Sequence, residues 1–136
     1  MKSKNTSLFL RLSIGIVFLW FGIDKFLNPA MWAAWMPPWM SSLWPWSINS
    51  FMYFQGGIEA ILGILLLIGF YTKWASRLSA LILLSIVIVL GINDITALGR
   101  IGDVTIRDIA ILLAAIALCY QEKFPWSLDN KFKKNP

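Results

Sequence analysis

"FMYFQGGIEAILGILLLIGF", residues 51–70, is long enough to cross a bilayer, yet it holds Glu59 well inside an otherwise apolar run. Roughly 20 apolar residues at helical rise cover a hydrocarbon core, so the stretch reads as a membrane span. A charge near the bilayer centre costs about 2.5–3.5 kcal/mol on insertion scales. The carboxylate therefore needs a partner, a proton to carry, or a chemical role, and the rest of the chain must decide among them.

Further apolar blocks run over residues 8–26, 74–93 and 104–120, the last of them short. Hydrophobic residues make up 58% of the chain and charged residues only 14%, with a mean hydropathy of +0.69. A soluble domain carries about 25% charged residues, so the usual solvating surface is missing. The second and third connections are brief, which makes neighbouring spans antiparallel. The expected fold is an all-α membrane protein, an antiparallel bundle of four transmembrane helices. It forms one membrane domain over residues 1–136, with spans at 8–26, 50–70, 74–93 and 104–120, an outer loop at 27–49 and a tail at 121–136.

The formal charge of +5 does not mark a nucleic-acid binder, because the basic residues flank the apolar blocks as orientation signals do. The chain has no histidine and a single cysteine, Cys119, read as a packing residue. That excludes an intramolecular disulfide or CxxC pair and argues against His-held haem and Cys/His zinc, so no metal or haem is expected. The basic N-terminus resembles a signal peptide, but its apolar run exceeds the roughly 7–15 residues of such a segment. It is expected to stay as the first span.

Lys2 and Lys4 precede the first span, Lys73 and Arg77 surround the second connection, and Lys123, Lys131, Lys133 and Lys134 fill the tail. The positive-inside rule then places both termini in the cytoplasm of a multi-pass protein of the cell membrane. The first connection carries Trp32, Trp35, Trp39, Trp44 and Trp46 among prolines. Tryptophan favours the headgroup level, and Pro37 and Pro38 forbid one continuous helix. The segment is expected to cap the outer end of the bundle at the interface, either as an aromatic anchor or as a lid.

With that topology one layer collects nearly every intramembrane polar group. Asp24, Lys25, Asn93 and Asp94 lie near the outer ends of spans one and three, and Gln55, Glu59, Arg107 and Asp108 lie in the outer halves of spans two and four. Gln55 and Glu59, four apart, share a helix face. Gly56, Ala60 and Gly63 form a small-residue stripe beside them, and such stripes admit a close neighbour; on span one Gly15 and Gly22 fall on one side. Arg107 is the first choice of partner for Glu59, because a guanidinium meets a carboxylate bidentately, and Lys25 is the second. Arg107 projects about 100° from Asp108 on the helix. Arg11 and Arg77 are expected to snorkel to the inner face. Lys25, Asp24, Gln55 and Asp108 are the candidate ligand-binding residues, and the cluster is either a register-fixing ion pair or a pocket for a headgroup, substrate or proton.

The segments "GIVFLWFGIDKFLNPAMW", "GGIEAILGILLLIGFYTKWAS" and "RDIAILLAAIAL" resemble the DoxX/DoxD family of small membrane proteins, over most of residues 10–118 apart from the tryptophan loop. The resemblance implies a four-helix membrane fold. It points to Gly22, Lys25 and Phe26, to Gly57, Glu59, Gly63, Gly69 and Thr72, and to Arg107 and Asp108. Members resemble the membrane subunit of a thiosulfate:quinone oxidoreductase or accompany redox-stress enzymes.

Joined to the polar layer, the resemblance implies a subunit of a quinone-linked oxidoreductase. Glu59 and Arg107 are then the candidate catalytic residues, quinone the cofactor, and a soluble or membrane redox subunit the partner beside the lipid bilayer. The alternative is a non-catalytic scaffold or assembly factor, whose buried charges hold helices and whose loop or basic tail docks a partner. Transport of a small acid or lipid has less support, since no repeat symmetry or broken helix is visible.

Overall fold

The computed structural model describes residues 2–122, 124 and 126–132. Lys123, Lys133 and Lys134, which contribute to the orientation argument, lie outside the described residues. Among those described, every regular element is helical: α1 (Lys2–Leu27), α2 (Pro29–Ala33), α3 (Pro38–Ser41), α4 (Ile48–Ile68), α5 (Thr72–Leu98), α6 (Asp103–Cys119) and α7 (Leu128–Phe132).

Local chemistry explains the breaks. Pro29 and Pro38 occupy the first turns of α2 and α3, where a missing N–H costs nothing. Ser47 caps α4 by accepting the Ser50 N–H at 3.3 Å. Gly69 ends α4 in the left-handed region (φ 70°), with its N–H on Leu65 O, and Gly99 ends α5 in the same way (φ 68°) on Ile95 O.

Three helical stretches are long and apolar enough to cross a membrane: Asn5–Leu27, Ile48–Ile68 and Thr72–Leu98. The fourth expected span coincides with α6, which has 17 residues, or about 25 Å of rise. α1 packs most extensively on α4 and α5 on α6, while α4 also meets α5 and α1 also meets α6. Only 11% of the apolar window of α5 is buried within the chain, as suits a helix whose outer face is left to lipid.

The α1–α4 contact is a seam of small residues. A Cβ at Gly22 would stand 2.5 Å from Ala60 N and 2.7 Å from Gly56 O, and one at Gly63 would stand 2.5 Å from Leu19 N and 2.9 Å from Gly15 O. Backbone meets backbone there, so no larger side chain fits without separating the helices. Gly22 faces Gly56 and Gly15 faces Gly63, so the two helices run antiparallel.

The apolar core fills one half of the bundle only. Ile14 of α1, Leu66 of α4, Ala75 of α5 and Leu118 of α6 all lie toward the α4–α5 turn. The other half, under the tryptophan-rich segment, encloses a cavity with largely apolar walls and a polar end.

Candidate functional site

The seam sets the level at which charges meet. Side chains lean toward the N-terminus of their own helix, so on antiparallel α1 and α4 the chains of Lys25 and Glu59 lean toward each other. Gly56 leaves room for the lysine stem, since a Cβ there would lie 2.9 Å from Lys25 Cβ. The result is a Lys25 Nζ to Glu59 Oε2 bond of 2.6 Å between side chains each 4% exposed. Gln55 Nε2 donates to the other oxygen, Oε1, at 3.1 Å, so both carboxylate oxygens are engaged.

This corrects the expected pairing. The partner of Glu59 is Lys25 rather than Arg107, because α6 packs on α5 and α1, whereas the glycine seam brings α1 directly against α4. Arg107 instead turns back on its own helix and donates from Nε to Asp108 Oδ1 at 2.9 Å. The long side chain overcomes the angle between adjacent helical positions. Its guanidinium carbon lies 4.9 Å from the Phe21 ring centroid, and its side chain stays 44% exposed beside a buried Asp108.

Aromatic rings complete the surroundings of Lys25. The Trp32 centroid lies 4.1 Å from Nζ and that of Phe21 5.9 Å, within reach of a cation–π attraction. Trp32 Nε1 donates to Asp24 Oδ2 at 2.8 Å, and Asn28 Nδ2 donates to Asp24 Oδ1 at 2.7 Å. Asp24 thus ties α2 to the end of α1, and the tie holds an indole against the buried ammonium. Phe21 and this specific role of Trp32 escape sequence reasoning. Phe21 stands one turn before Asp24 and Lys25 on α1, which is the signal that could have found it.

Above the pair lies a cavity of about 560 Å³. Asp24, Lys25, Gln55, Glu59, Arg107 and Asp108 all line it, as do Trp32, Trp35, Met36 and Pro37 of the first connection. Pro37 is itself buried, so the segment forms a wall of the cavity and not only a belt. The rim includes Trp20 and Phe54, which are exposed to the surroundings of the bundle.

Asp94 belongs to a different device. Its Oδ2 accepts the Gly102 N–H at 2.9 Å and the Thr105 hydroxyl at 2.5 Å. It therefore clamps the α5–α6 turn and caps α6 from a distance, and its level in the membrane says nothing of the Glu59 cluster. Arg11 also departs from expectation. It is 2% exposed and donates from Nη2 to Trp126 O at 2.8 Å, because the tail folds back over it. Arg77 remains exposed, with its guanidinium carbon 5.4 Å from the Trp74 ring centroid.

The family model DoxX matches residues 6–92. No curated protein and no solved structure matches the chain. The matched stretch contains the glycine seam, Asp24, Lys25, Gln55 and Glu59, whereas Arg107 and Asp108 lie beyond it. Covering well over half of the 136 residues, and joined to long apolar helices, the match shows that this chain is a membrane protein of the DoxX family.

Proposed function

We propose that the chain is the quinone-binding membrane subunit of an oxidoreductase, of thiosulfate:quinone type or serving a redox-stress complex. One observation carries this reading: an apolar cavity of about 560 Å³ whose polar end gathers Lys25, Glu59 and Arg107. That size falls among ordinary small-molecule sites, which run to roughly 300–1,000 Å³ with apolar walls and a few placed polar groups. An amphiphile with a polar ring and an apolar tail suits such a cavity, the tail passing between Trp20 and Phe54 toward lipid.

When bound, a quinone accepts electron pairs together with protons. Arg107 is the residue to hold a ring oxygen, because its guanidinium is partly exposed and, among the described residues, hydrogen-bonds only through Nε. Gln55 orients the Glu59 carboxylate through Oε1, and Lys25 holds its second oxygen. Glu59, once protonated from water, would give that proton up from Oε1 or Oε2, and the Lys25 ammonium would balance the carboxylate left behind. Electrons come from a partner redox subunit. In this reading α6 is the fourth span, the bilayer thinning locally to match its length, and both termini lie in the cytoplasm of the cell membrane.

Purification in mild detergent followed by lipid extraction tests the proposal. Quinone is expected to accompany the protein and to be lost from the Arg107→Gln variant without loss of folding. Protein that carries neither quinone nor a redox subunit would overturn it. One observation favours the scaffold reading: the Lys25–Glu59 pair is already closed, with both carboxylate oxygens occupied. On that reading both groups act only as helix glue, and a partner co-purifies without quinone.

A further inference from the structure

A second polar cluster lies at the opposite end of the bundle, about 21 Å along α1 from Lys25 by helical rise. The tail returns to this end. The Asp129 N–H donates to Gly69 O at 3.0 Å, and the Asp129 carboxylate accepts the N–H groups of Tyr71 at 2.8 Å and Thr72 at 2.9 Å. Those N–H groups open α5, a helix of 27 residues, where unsatisfied donors and the helix dipole favour an anion. The tail carboxylate therefore sits where an external anion would bind.

Arg11 is the independent sign that the site takes more than a carboxylate. Its Nη1 stands against Gly69, whose carbonyl accepts the Asp129 N–H, and its Nη2 bonds Trp126 O. Its Nε and Nη1 are buried without an acceptor among the described residues. A guanidinium carries five N–H donors, so the cluster holds more donors than the described tail residues fill. Both Asp129 oxygens are spent on the α5 amides, whereas a phosphate has oxygens for the amides and for the guanidinium together. Lys73 and Arg77, exposed on the first turns of α5, add positive charge at the approach.

We propose that this end of the protein is a phosphate-binding site plugged by Asp129, so that a phosphate group, on a lipid headgroup or free in solution, displaces the tail. The plug and the anion compete for the same two amides, and the anion also satisfies Arg11. Binding there would release the segment from Trp126 onward and couple the tail to the anions around it.

Amide hydrogen exchange at residue 129 reads the state of the plug, because that N–H reaches Gly69 O only when the tail is docked. The full chain is reconstituted in phosphatidylcholine vesicles and compared in two arms. One replaces part of the lipid with phosphatidic acid, and the other adds inorganic phosphate, matched against chloride at equal ionic strength. Exchange about tenfold faster is expected in at least one arm. A response to phosphatidic acid alone identifies the headgroup as the source, and a response to inorganic phosphate identifies the free anion. Unchanged exchange in both arms, or an equal response to chloride, overturns the proposal. Asp129→Asn weakens the plug, so exchange at residue 129 is expected to be about tenfold faster already in neutral vesicles. Wild-type protection in that variant would remove Asp129 from the role.

Discussion

Lys25 and Arg11 are both basic, both buried and both on α1, yet the fold treats them in opposite ways. Lys25 meets a carboxylate at 2.6 Å, backed by Gln55 and faced by the Trp32 ring. Arg11 has a backbone carbonyl at 2.8 Å and two nitrogens with no acceptor among the described residues. The first cation is held between two helices that cannot separate without breaking the glycine seam. The second is covered by a tail docked through hydrogen bonds at Trp126 and Asp129. Closed pairing and a cavity belong to one end, and an under-filled donor cluster and a removable cover belong to the other.

The strongest way to break this comparison is to strip one end of its counter-charge. Glu59→Ala leaves a buried ammonium with no carboxylate and is expected to destabilise the protein by about 3–5 kcal/mol. Unfolding in detergent measures it, and Lys25→Met combined with Glu59→Leu should recover most of the loss. The seam comes next. Gly22→Ala puts a methyl against the backbone of α4 and is expected to cost about 1–3 kcal/mol. Gly57→Ala, whose Cβ would lie 3.8 Å from the Phe26 ring, should leave stability unchanged in the same assay.

At the tail end the effects are smaller. Asp129→Ala removes the cap on the first two amides of α5 and should cost about 1 kcal/mol. Arg11→Met exchanges a poorly satisfied cation for a shorter, unbranched apolar chain, and its effect should stay within about 1 kcal/mol. Lys25→Met alone should cost several times more, since it strands Glu59, and equal costs at the two sites would erase the distinction between them. The smallest effect is expected for Trp32→Phe, which keeps a ring beside Lys25 but loses the Asp24 bond, at about 0.5–1 kcal/mol.

The distinction also explains what could be read from the residues. Glu59 was legible because a carboxylate inside an apolar run has a cost that something must offset. Gly22, Gly56 and Gly63 were legible because small residues at helical spacing have few other uses. The partner of Glu59 was not, since bidentate chemistry ranks Arg107 above Lys25 until the neighbours of α4 are known. Arg11 looked like a snorkelling residue because its cover lies 115 positions away in "WSLDN", a polar stretch without periodicity. Asp94 shared a level with the others but serves a turn, since depth in the bilayer does not specify which neighbour a side chain meets.

Whether the cavity over the Lys25–Glu59 pair takes a quinone-class ring, as proposed, is measured by quenching of the protein's tryptophan fluorescence with a short-tailed quinone. Trp32 and Trp35 line the cavity and report on occupancy. Saturable quenching is expected, with affinity falling about tenfold in Arg107→Gln, the loss of one hydrogen bond from a charged donor. Quenching that rises without saturation, and does so equally in wild type and variant, would contradict it.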